Sequence, residues 1–293
     1  MFEGFTEFDI ATTGTTIHGR HGGHGPAVLM LHGIPQTHLM WHLVAPALAR
    51  EFTVVVADLR GYGASGTPPS AADHTPYSMR ELARDQVDVM TALGHDRFAV
   101  VGHDRGARCA YRMALDHPDA VARLAVLDII PTADVYRRAD KDFSDAFWVW
   151  SFLAAPEPVP EQLIAGSPAT LVDHMLDTWA ARPDVFAPDV RRRYHEQFRS
   201  PDRVHAICEQ YRAAATLDVA HDEHDRGRRR IECPVLALWS VNGPLGQWYE
   251  PLAIWREWAD EVSGDGIDAG HFLPEEAADR VVAELRRFLL YRM

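Results

Sequence analysis

Five short, almost unbroken apolar runs constrain this chain more than any other feature. They are Pro26–Leu31, Phe52–Ala57, Phe98–Val101, Leu124–Leu127 and Val235–Trp239. Unbroken apolar character is what a strand needs when helices cover both faces of its sheet. Helical patterns fill the spaces between the runs. Ser78-Met79-Arg80-Glu81 has capping-box spacing, and Leu82, Val89, Met90 and Leu93 continue one stripe behind it. A second helix is expected after Asp104, ending near Pro118. In the stretch from Glu275 onward, Val281, Val282, Leu285, Phe288 and Leu289 share one face. Strand–helix alternation of this kind predicts a doubly wound, mostly parallel sheet with right-handed crossovers.

The alternation stops between about Thr132 and Asp225. That stretch is rich in Trp, Tyr, Phe and Pro and contains no strand-like run. It reads as a helical cap inserted between two sheet strands. The expected division is a core of residues 1–132 and 226–293 and a cap of residues 133–225. The length, 293 residues, suits one large α/β domain with an insertion. Pro156–Pro160 reads as a loop inside the cap, and the charged run His221–Arg230 as a solvated connection back to the core.

Charge narrows the partners. With 29 Lys+Arg against 42 Asp+Glu, the formal charge is −13. Nucleic acid and anionic membrane surfaces both require a net basic face and are not expected as partners. A small anionic substrate held by a few local arginines is compatible with this balance. Cys109, Cys208 and Cys233 are odd in number and widely spaced, which suits neither a disulfide framework nor a zinc site. The opening MFEGFTEFDI lacks the basic and apolar segments of a secretion signal, and no apolar run approaches the roughly 18 residues of a membrane span. A cytoplasmic location is therefore expected.

Gly102-His103-Asp104-Arg105-Gly106 carries the chemistry. It follows an apolar run and opens a helix, with the G-x-nucleophile-x-G spacing of the strand-to-helix elbow of α/β hydrolases. His32-Gly33-Ile34-Pro35 follows an earlier strand, where an oxyanion-hole loop belongs. The backbone N–H groups of Ile34 and Arg105 are its expected donors. Gly270-His271-Phe272 lies just before the last helix, where the general base of this fold is kept. The expected fold class is thus an α/β-hydrolase fold with an inserted helical cap.

The nucleophile is Asp, which changes the chemistry. A carboxylate attacks an sp3 carbon bearing a leaving group and forms an ester with it. Water activated by His271 then attacks the carboxyl carbon of Asp104 itself. Substrates narrow to alkyl halides and epoxides. The acid that orients His271 is assigned to Asp128, at the end of Leu124–Leu127. The segment after Val235–Trp239 reads Ser240-Val241-Asn242-Gly243 and has no carboxylate. Asp128 also suits a cap of the following turn. Arg105 and Arg108 are spaced i, i+3 and share a helix face. From spacing they are a clamp for a substrate carboxylate, a solvated pair, or partners in internal salt bridges. Trp150 and Tyr211, on their residue types alone, are core aromatics of the cap.

The strings HGIPQTHLMWHLVAP, VVADLRGYGASGTP, GHDRGARCAYRMALDHP, LAVLDIIPT, WSFLAAPEP and CEQYRAAATLDVAHD together resemble the haloacetate and fluoroacetate dehalogenases. The resemblance runs over nearly the whole chain; GHDRG alone is also similar to epoxide hydrolases. It implies Asp104 as nucleophile, His271 as base, Asp128 as orienting acid, and Arg105 with Arg108 on the substrate carboxylate. It further implies Trp150 and Tyr211 as halide donors, and His103, Trp179, Met40 and Trp41 as pocket lining. One position departs from the pattern. The family's halide pocket carries a histidine immediately before the tryptophan, and this chain has Val149. That departure implies that chloride and bromide leave more readily than fluoride.

The expected activity is hydrolysis of a short 2-haloacid, most simply haloacetate, to the 2-hydroxy acid and halide. No metal or cofactor is expected, and the resemblance implies a homodimer. The first alternative is an epoxide hydrolase, which needs a second cap tyrosine beside Tyr211; Tyr136 and Tyr194 are available. The second is a catalytically silent protein that binds a carboxylate ligand.

Overall fold

A computed structural model describes residues 1–290. Eight strands form one sheet: β1 (Thr6–Ala11), β2 (Thr16–Gly23), β3 (Ala27–Leu31), β4 (Thr53–Ala57), β5 (Phe98–His103), β6 (Val121–Leu127), β7 (Val235–Ser240) and β8 (Val262–Ile267). Their order is β1-β2-β4-β3-β5-β6-β7-β8. The β1–β2 and β2–β4 pairs are antiparallel and the rest are parallel. The five apolar runs are the central strands, and every residue of β3 and β5 is buried. The expected parallel sheet is therefore present.

The three strands that hydrophobicity does not announce lie outside this center. β1 and β2 alternate between exposed and covered positions, as a half-solvated antiparallel pair does. β8, Val-Ser-Gly-Asp-Gly-Ile, is an edge strand with two glycines and little apolar surface.

The helix Met79–Ala92 buries Leu82, Val89 and Met90, and Leu93 packs against the core just beyond its end. Ser78 stands at its N-cap position, but its side chain makes no capping bond. The expected capping box does not form. Asp218 Oδ1, from far along the chain, accepts the Met79 N–H at 2.9 Å instead. The helix Arg105–Asp116 is buried along nearly its whole length. The last helix, Ala278–Leu290, buries Val281 and Leu285 and packs Val282, Phe288 and Leu289 against the core.

Between β6 and β7 the chain is helical, and no strand occurs among the described residues there. Thr132–Arg137 opens this segment, Trp148–Leu153 and Pro201–Ala213 pack together within it, and Val219–Asp225 closes it. The reading of His221–Arg230 as a solvated connection needs correction. Asp222 and Asp225 are buried, because Arg112 of the helix Arg105–Asp116 binds both of them. Such burial needs compensating charge, and Arg80 and Arg229 also reach Asp225, at 4.0 and 3.7 Å. No described helix is long and apolar enough to cross a membrane.

Candidate active site

The site sits above the C-terminal ends of β3, β5, β6 and β7, where an open α/β sheet holds its ligands. Asp104 occupies the turn between β5 and its helix with φ +48° and ψ −116°. A non-glycine residue at positive φ is strained, and such strain gathers at functional turns. The flanking glycines permit the turn by allowing close approach. A Cβ on Gly102 would lie 2.4 Å from the Gly106 carbonyl oxygen, and one on Gly106 would lie 2.4 Å from that of Leu31.

Asp104 is nearly buried, and its Oδ1 accepts the Ile34 N–H at 2.9 Å. The Arg105 N–H, first of its helix, has no intrahelical acceptor. Burial pushes the Asp104 pKa up, but the charges of His271, His103 and Arg108 and the Ile34 N–H outweigh it and hold the carboxyl below its usual value.

His271 and Asp128 are brought together. His271 Nδ1 lies 2.6 Å from Asp128 Oδ2, and Asp128 Oδ1 accepts the Ser240 N–H at 2.9 Å. Asp128 is itself at positive φ, +55°. The strand end after β7, where an acid was looked for, thus supplies a donor that fixes the acid from the neighbouring strand. Burial alone would lower the His271 pKa. The Asp128 hydrogen bond and the charges of Asp128 and Asp104 overcome it and raise the pKa above 6.5.

Glu276 is a residue that sequence reasoning missed. Its carboxylate accepts the N–H groups of Gly270, Phe272 and Ala181, at 3.0, 3.0 and 2.8 Å. His271 N–H donates to the Trp179 carbonyl at 2.8 Å. His103 Nε2 lies 2.7 Å from the His271 carbonyl oxygen. The histidine loop is therefore held from three sides. A Glu five residues past a candidate histidine was the available signal, but the acid spacing by itself is common on helix starts.

Arg105 and Arg108 are fully and nearly fully buried, and neither makes an ion pair among the described residues. Arg105 Nη2 donates to the Gln210 carbonyl, while its Nε and Nη1 have no partner. Arg108 Nη1 donates to Ile130 O and Thr132 Oγ1, and its Nε has no partner. The reading as a solvated pair is excluded by this burial. Each guanidinium lies over an aromatic ring, Arg105 at 4.6 Å from Tyr211 and Arg108 at 4.5 Å from Trp150. Two buried cations with unpaired donors suit an anionic partner.

A cavity of about 420 Å³ opens over these groups. Asp104, Asp128, His271, Trp150, Tyr211 and Trp179 are on its wall, together with Trp148 and His174. The guanidiniums, Ile34, Met40, Trp41 and His103 are not on the wall itself. Val149 is not on it either: it is fully buried in the core of its helix packing, while Trp148 and Trp150 on each side face the cavity. Of the tyrosines, Tyr194 donates to Glu275 Oε1 at 3.0 Å, and Tyr136 packs edge-on against Trp150. Only Tyr211 among the described tyrosines reaches the wall.

Comparison with known proteins shows the fold and the family. The α/β-hydrolase fold profile matches residues 26–278. A fluoroacetate dehalogenase from Burkholderia sp. is 43% identical over 99% of this chain and 95% of its own. A soluble epoxide hydrolase from Corynebacterium sp. (strain C12) is 28% identical over 97% and 96%. A solved structure from Nostoc sp. PCC 7120, described as an α/β hydrolase, superposes with a TM-score of 0.98 at 48% identity, covering 100% of both chains.

Proposed function

The chain belongs to the α/β-hydrolase family, alongside fluoroacetate dehalogenase, and we propose that it hydrolyses the carbon–halogen bond of short 2-haloacids through an ester on Asp104. The observation that carries this reading is a buried aspartate at the elbow followed at once on its helix by two buried arginines, neither of which forms an ion pair among the described residues. A haloacetate supplies what that arrangement lacks: an anion for the guanidiniums and an sp3 carbon for Asp104.

In the proposed reaction the substrate carboxylate binds Arg105 and Arg108. Asp104 Oδ2 attacks the carbon opposite the halogen, and the carbon–halogen bond breaks as the carbon–oxygen bond forms. Halide departs toward the indole N–H of Trp150 and the phenol O–H of Tyr211. His271 then takes a proton from water, and the resulting hydroxide adds to the Asp104 carboxyl carbon. The negative charge forms on Oδ1, facing the N–H groups of Ile34 and Arg105. Collapse releases the hydroxy acid, and Asp104 keeps one oxygen from water.

We assign the segment 133–225 as the cap that closes the site, and expect a cytoplasmic homodimer. Val149, buried behind the cavity wall next to Trp150, offers no hydrogen-bond donor there. Chloroacetate and bromoacetate are therefore the proposed better substrates and fluoroacetate the poorer one, since fluoride is held chiefly by hydrogen bonds. The epoxide reading has less support, because a second tyrosine does not reach the cavity wall among the described residues. Halide release by the purified protein from fluoro-, chloro- and bromoacetate, beside diol formation from styrene oxide, tests the assignment. Release of chloride without diol formation is expected; diol formation without halide release would reverse it.

A further inference from the structure

A second cluster lies away from the catalytic residues, in a cleft of about 660 Å³ at the N-terminal edge of the sheet. His18, on β2, and His38, in the turn after β3, face each other with ring centroids 5.4 Å apart. One nitrogen of each ring and an oxygen of Asp58 lie within 4.8 Å of one another. Each ring has its Nδ1 against its own carboxylate: His18 against Asp9 Oδ1 and His38 against Asp58 Oδ1, both at 2.9 Å. A carboxylate that accepts from Nδ1–H places the lone pair on Nε2, which is how metal-binding histidines are prepared. His38 Nε2 is buried and has no hydrogen-bond partner.

We propose that His18 and His38 bind a divalent transition-metal ion of the zinc class through their two Nε2 atoms. Two imidazoles on one tetrahedral zinc, with Zn–N distances of about 2.0–2.1 Å, have ring centroids roughly 5 Å apart, close to the spacing found. The wall of the cleft beside the two rings also carries Glu3, Glu7 and Glu196. The arginines of the cleft have partners of their own. Arg20 pairs with Glu7, Arg193 lies 3.8 Å from Glu196, and Arg203 donates to the Tyr62 and Ser65 carbonyls. The bound ion ties β2 to the turn that leaves the oxyanion-hole loop. Sequence spacing gave no hint of it, because the ligands lie on separate elements and their carboxylates on two others.

The test is calorimetric titration of untagged, EDTA-treated full-length protein with Zn2+, together with thermal unfolding in its presence. One equivalent binds, and Tm rises, because the ion binds the folded state. In His18→Asn the one-equivalent transition and the rise in Tm are lost, while haloacetate turnover stays at the wild-type rate. Asp9→Asn, which leaves both ligands in place, weakens binding about ten- to a hundredfold. Absence of stoichiometric binding, or binding that His18→Asn leaves unchanged, overturns the proposal. Because His38→Gln also strips Asp58 of a partner and is open to misfolding, the less deeply buried His18 decides the outcome.

Discussion

At the scale of single residues, the two catalytic ionisations are pushed apart. Asp104 is held below the usual carboxylate pKa and His271 above the usual imidazole pKa. Attack on carbon needs ionised Asp104, and ester hydrolysis needs neutral His271. As pH falls through the His271 pKa, hydrolysis stops first while alkylation continues. The ester should therefore accumulate in the wild-type enzyme at mildly acidic pH, and rapid-quench mass measurement at two pH values checks this. Equal ester levels at alkaline and at mildly acidic pH would remove His271 from the second step. Asp128→Asn removes the hydrogen bond and the charge that raise the His271 pKa, so the acid limb of ester hydrolysis should move to lower pH while its plateau falls. The arginines give a sharper contrast. A hydrogen bond to a charged group contributes roughly 1.5–3 kcal/mol, so Arg108→Ala should lower kcat/KM for chloroacetate about ten- to a hundredfold or more. Chloroacetamide, which has no charge to lose, should be much less affected. Matching losses on the two substrates would make Arg108 a structural residue.

At the scale of elements, the strand-to-helix elbow holds the chemistry in place. Gly106 lets its helix press against the β3 end, with room for no side-chain atom between. Gly106→Ala places a methyl 2.4 Å from Leu31 O and 2.5 Å from His32 O. The helix must lift, taking the Arg105 N–H and Asp104 with it. Overpacking of this kind costs about 1–3 kcal/mol. Denaturant unfolding should show that loss, and chloroacetate turnover should fall by more than the stability change explains. Normal turnover in a destabilised variant would separate the elbow from the catalysis. The elbow was legible in sequence because its residues are contiguous and its glycines are demanded by contact. The central strands were legible because both their faces are buried. β1, β2 and β8 were not, because one face or one edge meets water and apolar runs are not required there. The supports of the histidine loop were hidden for another reason. Glu276 gathers the N–H groups of Gly270, Phe272 and Ala181, and the Ser240 N–H donates to Asp128 from 112 residues away; these are contacts between a side chain and backbone, which leave no residue pattern to read. Asp218 likewise caps a helix from 139 residues away.

At the scale of the whole molecule, one buried cluster clasps both ends of the helical insertion. Arg112 binds Asp222 at 3.1 Å and Asp225 at 2.6 Å. Asp222 Oδ2 in turn accepts from Tyr111 and from the Ala133 N–H, at 2.8 and 3.1 Å. The segment thus leaves the core at Ala133 and returns at Asp222 against the same side chains. Charges of opposite sign make the cluster tolerable, and Arg112 is its buried cation; Arg80 and Arg229 reach Asp225 from farther out, at 4.0 and 3.7 Å. Arg112→Ala takes from buried Asp222 the cation it pairs with and leaves Asp225 the two more distant ones, and breaking such a buried pair typically costs about 3–5 kcal/mol. Thermal unfolding at neutral pH should show that loss. A variant with wild-type Tm at neutral pH would mean that the insertion is anchored elsewhere.

The central claim is that water oxygen enters through Asp104. In a single turnover in H2(18)O, with enzyme in excess over chloroacetate, the label should appear in the Asp104 carboxylate and the released glycolate should carry none. Peptide mass mapping and product mass analysis read both at once. Label in glycolate from that first turnover, with Asp104 unlabelled, would mean that water attacks the substrate carbon directly and would contradict the account.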